Sequence, residues 1–302
     1  MRIVATRRAD SARLRRAAAV LCQPAPFTAF SGKPAAIKFL ALYKSLAAAS
    51  LLAASSLAQG QAFDAVRLFG VPDGADGGLA GAVVISAPEY MGSNQRRVMV
   101  LPSIDYRWAN GWFAGLSNGI GYRFPSSSDV QYGVRVTADL GRKQSRSSAL
   151  SGMGDIDARP EAGIFFNYLP TREVFLTSSL RYGAGNDRNG MQLDLGAGYT
   201  TQFAPKWRGA VGVATAYVNG DYMQSYFGVT PGQSVTSGYR TYTPGAGIRD
   251  ARLNASLTHL IDAKWSLTGA LTARSLQGDA RNSPIVFQSS AVSGVLALSY
   301  LF

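Results

Sequence analysis

Cysteine is almost missing from this chain of 302 residues, histidine occurs once, and no apolar run is long enough for a membrane-spanning helix. Each scarcity excludes something. The lone Cys22 falls in residues 1–58, a stretch that reads as a leader to be removed, so the rest must hold together without disulfides. Leu21, just before it, is not small, and the lipoprotein cleavage pattern is therefore incomplete. With His259 as the single imidazole, no Ser-His-Asp hydrolase is assembled, and zinc-type sites lack ligands. His259 itself lies on an apolar face and reads as an interface anchor, not a general base. Asp155, Asp157 and Glu161 form the densest acidic group. They read as a loop turning on Asp and Gly in preference to a Ca²⁺ site. No catalytic set, cofactor or metal is expected.

Acidic residues are also few, and the formal net charge is +12. The excess is uneven. Residues 1–58 hold nine of the 30 Lys/Arg but only one of the 18 acids, which leaves +4 on the remainder. A nucleic-acid partner would need its basic patch in the working domain, so none is expected. Lys33, Lys38 and Lys44 precede the apolar stretch SLAAASLLAASSLA at 45–58, and Ser56 and Ala58 suit a peptidase at −3 and −1. This is the pattern of a cleaved secretory signal. It falls short of the roughly 20 apolar residues that a spanning helix needs. A cut after Ala62 is the alternative. Residues 1–36 are long for the basic region and suggest a translation start further downstream. The chain thus divides into a leader at 1–58, a lead-in at 59–77 and a working domain at 78–302.

What the working domain has is alternation. In 191–203, Met191, Leu193, Leu195, Ala197, Tyr199 and Phe203 alternate with Gln192, Asp194, Gly196, Gly198 and Gln202. Successive side chains leave a strand on opposite faces, so this is a strand with one apolar face. Similar segments lie at about 79–87, 97–108, 112–124, 131–142, 160–168, 173–182, 207–218, 251–261, 265–274 and 292–302. Segments near ten residues fit a tilted strand crossing a bilayer. Aromatics gather near segment ends, among them Trp108, Trp112, Tyr168, Trp207 and Trp265. Connections are tight at 203–206 and 262–264, and long at 142–158, 219–248 and 278–290. Short turns on one side and long loops on the other characterise an outer-membrane barrel. Leu298, Tyr300 and Phe302 end the last segment on one face, as a barrel-assembly signal does. The expected fold is all-β, an antiparallel transmembrane β-barrel. Both ends in the periplasm require an even strand number. Eleven segments become twelve if 112–124 breaks at Ser117-Asn118-Gly119, and ten if the short pieces do not pair.

Lipid cannot satisfy backbone polar groups, so the sheet must close with its apolar face outward. That register sends Arg97, Arg107, Arg135, Arg159, Arg181, Arg208, Arg252 and Arg274 into the lumen, with Asp105, Asp139, Glu161, Glu173 and Asp194. A network that solvates the interior is favoured over an ion-selective pore. The segment Asp221-Tyr222-Met223-Gln224-Ser225-Tyr226-Phe227 is unusually aromatic for a loop. Asp221, Tyr222, Tyr226 and Phe227 are expected either to pack into the barrel mouth or to form an exposed binding patch, with packing preferred.

Several longer stretches carry a resemblance. They are PEYMGSNQ at 88–95, LPSIDYRW at 101–108, LSGMGDIDARPEAGIF at 150–165 and DLGAGY at 194–199. DYMQSYFGVTP at 221–231, SGYRTYTPGAGIRD at 237–250 and WSLTGALTARSLQGDARNSPIV at 265–286 complete the set. Over 78–302 the chain resembles the MltA-interacting protein (MipA) / OmpV family of outer-membrane proteins. The resemblance implies a barrel set in outer-membrane lipid of a Gram-negative bacterium, without catalytic residues. One member is understood as a scaffold joining a murein-degrading transglycosylase to a murein synthase, and others as adhesive or stress-responsive surface proteins. A structural or interaction protein with murein enzymes as periplasmic partners is the first expectation. A passive small-solute channel leaning to anions, from eight inward Arg against five acids, or a surface adhesin, is the second.

Overall fold

The computed structural model describes residues 75–302, all within the second of two units of the chain, Ser45–Phe302. The leader and most of the lead-in lie outside the described residues. Twelve strands follow one another: β1 (Gly77–Pro88), β2 (Arg96–Arg107), β3 (Trp112–Gly115), β4 (Gly119–Arg123), β5 (Val130–Asp139) and β6 (Arg159–Tyr168), then β7 (Val174–Ala184), β8 (Gly190–Ala204), β9 (Trp207–Val218), β10 (Gly247–Leu260), β11 (Trp265–Leu276) and β12 (Ser290–Leu301). Every strand pairs antiparallel with its chain neighbours, and β1 pairs with β12, so the sheet is a closed barrel. The break at Ser117-Asn118-Gly119 does separate two paired short strands. Gly119 makes this sharp reversal feasible. Its φ is +75°, and a Cβ there would run into the Val136 carbonyl.

Closure runs from Leu79 opposite Leu301 to Ser86 opposite Gly294. Phe302 extends it with a reciprocal backbone pair, Gly78 N to Phe302 O at 2.9 Å and Phe302 N to Gly78 O at 3.0 Å. In lipid, such closure spares the first and last strands an unpaired edge at the seam.

The two faces sort by polarity. Val134, Val136, Ile164, Phe166, Leu195, Val211, Val213, Leu253 and Leu271 are exposed on the outer face. A charge at mid-depth there would cost about 2–4 kcal/mol. Short turns and Phe302 share one end, where aromatic rings cluster. Tyr106 stacks on Phe302 at 5.9 Å, Trp265 lies 5.0 Å from Tyr300, and Trp207 lies 4.4 Å from His259. Amphipathic rings favour the membrane–water boundary, and the short turns at this belt are the periplasmic arrangement of outer-membrane barrels. The opposite end carries the long connections, with helices α1 (Gly220–Phe227), α2 (Pro231–Ser237) and α3 (Gly278–Arg281).

Candidate functional site

The interior is organised around Asp194, which is only 1 % exposed. It accepts from Arg181 Nη2 at 3.1 Å, Arg252 Nη2 at 2.6 Å and Gln192 Nε2 at 2.5 Å. Arg181 Nη1 donates to Glu161 Oε2 at 2.8 Å, and Thr137 reaches the same oxygen at 3.3 Å. On the other side, Arg252 Nε lies 2.9 Å from Asp250 Oδ1, and Arg249 Nε donates to Asp250 Oδ2 at 2.6 Å. Arg274 Nε stands 4.0 Å from that oxygen. The chain of charges crosses β6, β7, β8, β10 and β11 as one layer. Buried charges are costly unless they are paired, and this layer pairs them by alternating sign around the wall, with Arg252 Nε and Asp250 Oδ1 in ion-pair range only.

Arg249 and Asp250 were not among the inward residues expected from alternation. A register shift between Ile248 and Asp250 turns both inward. A bulge adds a residue to one strand and resets its phase, so two consecutive charges can share a face. The adjacent Arg-Asp pair, impossible to sort by strict alternation, was the available sequence signal.

Above the layer, α1 fills the mouth. Asn219 caps it by accepting from the Tyr222 N–H at 3.1 Å, which satisfies a free donor of the first turn. Tyr222, Met223, Tyr226 and Phe227 pack against Ile156, Ala184, Val218, Leu276 and Ala280. The last four of these partners include three inward residues at the upper ends of β7, β9 and β11. Arg249 Nη1 donates to the Tyr222 hydroxyl at 2.7 Å. The Tyr226 hydroxyl donates to Asp139, 2.5 and 2.7 Å from its two oxygens. Burial pushes the Tyr222 phenol up to about 12 and Tyr226 well above its usual range, so both stay protonated, Tyr222 accepting from Arg249 and Tyr226 donating to Asp139. Arg142 Nη1 holds the Tyr226 carbonyl at 2.8 Å, and burial brings its guanidinium down to about 10. Asp221 remains exposed at the helix start, beside Asn219 Nδ2 at 3.1 Å.

Other expected positions separate. Arg107 and Arg135 are buried on the inner face, Arg135 donating to Ser179 at 2.8 Å and facing Asn118 at 3.4 Å. Asp105 takes the Ser117 hydroxyl at 2.5 Å. Arg159 begins β6 in the inward register, half-buried. Two assignments to the lumen need correction. Glu173 is exposed and precedes β7, because Thr171 Oγ1 accepts from the N–H groups of Glu173 and Val174 and holds this residue in the turn. Arg208 has the inward phase but stays exposed, as the second residue of β9 at the rim. Asp155 and Asp157 both hold Lys143, at 3.0 and 2.7 Å, while Glu161 belongs to the charge layer. The acidic group is thus divided, and no metal-binding cluster occurs among the described residues. Leu298 and Tyr300 face outward near the closing seam, opposite Ala82 and Ala80.

Among solved structures, the outer-membrane channel DcaP of Acinetobacter baumannii is 7% identical, covers 75% of this chain and 96% of its own, and has a TM-score of 0.38. The CymD monoaromatic hydrocarbon channel is 11% identical, with coverages of 80% and 92% and a TM-score of 0.39. The toluene transporter TodX of Pseudomonas putida is 9% identical, with coverages of 82% and 92% and a TM-score of 0.36. No curated protein sequence matches. The family model described as MltA-interacting protein MipA matches residues 80–302, which takes in nearly the whole barrel, and the chain therefore belongs to the MipA family of outer-membrane barrel proteins.

Proposed function

We propose that this protein is a closed structural and interaction barrel of the outer membrane, whose partner is a murein-processing enzyme in the periplasm. The observation that carries the closed reading is the seating of α1. Its two phenols are fixed to Asp139 and Arg249, and its apolar side chains pack against the upper wall. Beneath it, alternating charges neutralise one another instead of presenting a single-sign ring, which is the usual ion-selective device. The family description, an MltA-interacting protein, supports the choice of partner. The surface available to such a partner is the periplasmic rim of short turns at 108–111, 124–129, 169–173, 205–206 and 261–264.

Two measurements test this. The barrel in lipid nanodiscs should retain a murein lytic transglycosylase from a periplasmic extract, and lose it when the exposed rim residues Arg172, Lys206 and Lys264 are changed to Glu. In planar bilayers, the unaltered protein should show no conductance steps. Regular steps would replace the closed reading with a channel, and retention insensitive to rim charge would remove the partner.

A further inference from the structure

The short hairpin leaves the wall incomplete. β2 pairs with β1 along all twelve residues, but with β3 only at Asp105, Tyr106 and Arg107. Leu116 adds one bond, its N–H donating to Ile104 O at 3.0 Å. Among the described residues no strand pairs with 96–103 on that edge. Across the gap, β4 pairs with β5 only up to Val136. Among the described residues two strand positions are vacant there, roughly 10 Å of wall at the usual inter-strand spacing. The tip at 116–118 forms the sill. The 3₁₀ turns Gln144–Arg146 and Ser148–Leu150 cross the top, where Ser147 Oγ meets Gln95 Oε1 at 3.1 Å. The result is a framed window in the barrel side.

The window lies at lipid depth. Val98 and Val100 flank it on the outer face, 68 % and 70 % exposed. Ile104 O and Trp108 N both bond on the β3 side, so the even residues of β2 turn their backbone groups to that edge. Those of Val98 and Val100 therefore point into the gap. Pro102, next in phase, has no N–H to leave unpaired, as suits an edge. Backbone groups without partners cost several kcal/mol each in hydrocarbon, so the opening calls for a polar occupant.

Charge identifies it. Arg97 faces inward at the top of β2, and the contact of Ser147 with Gln95 brings the turn that carries Arg146 to the same edge, where the Glu89 N–H bonds Gln95 O at 3.1 Å. Neither guanidinium has a hydrogen bond or ion pair among the described residues. Arg96 is spoken for, donating to Val292 O at 2.6 Å and to Ser86. Lys143 is held by Asp155 and Asp157. We infer that the window between β2 and β5 is a binding site for a phosphate-bearing membrane lipid, its headgroup taken by Arg97 and Arg146 and its acyl chains lying outward along Val98, Val100, Ile104 and Leu116. Guanidinium–phosphate hydrogen bonds are strong and geometrically specific. Lipid ester oxygens and headgroup hydration satisfy the exposed edge.

The test is native mass spectrometry of the folded full chain in uncharged detergent, titrated with dioleoyl phosphatidic acid, dioleoylglycerol or inorganic phosphate. Phosphatidic acid should half-saturate at about tenfold lower concentration than dioleoylglycerol, the return on two charge-assisted contacts partly offset by desolvation. Arg97→Gln with Arg146→Gln should abolish that preference. Arg97→Lys with Arg146→Lys should retain most of it, and Arg240→Gln with Arg281→Gln should leave it intact. Heat-modifiable migration establishes that each variant is folded. A tryptophan placed by Leu116→Trp should be quenched by phosphatidic acid with dibrominated chains beyond the quenching of the native tryptophans. Equal affinity for the charged and uncharged lipids would overturn the proposal, as would an unchanged preference in the Gln pair. Displacement of the lipid by equimolar inorganic phosphate would also overturn it, since the site would then read an anion alone.

Discussion

Replacing Asp194 by Asn probes the charge layer at its centre. Asp194 is almost completely enclosed and takes hydrogen bonds from Arg181, Arg252 and Gln192. Asn keeps the shape and one acceptor oxygen but removes the charge. Arg181 then retains Glu161 and Arg252 retains Asp250, yet each loses an anion at hydrogen-bond distance. Breaking a buried pair from one side costs about 3–5 kcal/mol, because the abandoned charge keeps its burial penalty. The surviving partners place the expected loss near the lower end, about 3 kcal/mol. Adding Arg252→Gln removes one of the stranded charges, so the double variant should be at least about 1 kcal/mol more stable than the sum of the single losses predicts. The assay is reversible guanidinium unfolding from phospholipid vesicles, followed by tryptophan emission. All four tryptophans, Trp108, Trp112, Trp207 and Trp265, sit at strand ends of the periplasmic belt and enter water on unfolding. A loss below about 1 kcal/mol for Asp194→Asn, or strict additivity in the double variant, would show that interior water solvates these groups and that their pairing contributes little.

Removing Phe302 deletes the reciprocal pair with Gly78 and the ring stacked on Tyr106. The yield of heat-modifiable barrel in the outer membrane should fall, and equal yields would show that closure does not depend on this residue. Tyr226→Phe removes the hydroxyl held by Asp139, a charge-assisted bond worth about 1.5–3 kcal/mol. Amide exchange in α1 should accelerate at least tenfold while the barrel's unfolding midpoint holds, and unchanged exchange would refute the latch. Asp155 is held below its ordinary value first by the Gln144 N–H and then by Lys143, whereas Asp157 is held down first by Lys143. Lowered carboxyls stabilise the loop above about pH 4 and lose that effect as pH falls through their folded values. Lys143, raised by Asp157 and then Asp155, contributes below about pH 10 and loses it as pH rises through its own raised value. Carboxyl-carbon NMR of Lys143→Gln should therefore show Asp157 moving toward about 3.9 by more than Asp155, and equal or absent movement would refute the assignment.

Which of these groups was legible beforehand follows from how local the cause is. Period-two alternation is written residue by residue, and lipid on one side allows a single answer to which face points out. Asp194, Arg181, Arg252 and Glu161 could thus be sent inward without any structure. Their partners could not be named, because pairing across β6, β7, β8 and β10 depends on register and on neighbours distant in the chain. Arg249 and Asp250 escaped because a bulge shifts phase without altering composition. Glu173 was misplaced because a hydroxyl in the turn, Thr171, determines where β7 begins.

The sequence by itself determined the fold class, the inward face of most strands and the family, and it offered Ser117-Asn118-Gly119 as a possible split that the pairing of β3 with β4 then settled. Those follow from periodicity, turn chemistry and ordered motifs, all local along the chain. Only the tertiary structure decided that α1 sits in the mouth and that the interior charges form one alternating layer. It alone decided that the shortness of β3 and β4 leaves the upper edge of β2 without a strand partner among the described residues, below Arg97 and Arg146. These depend on which side chains the closed sheet brings within about 3 Å of one another, a distance that sequence separation does not encode.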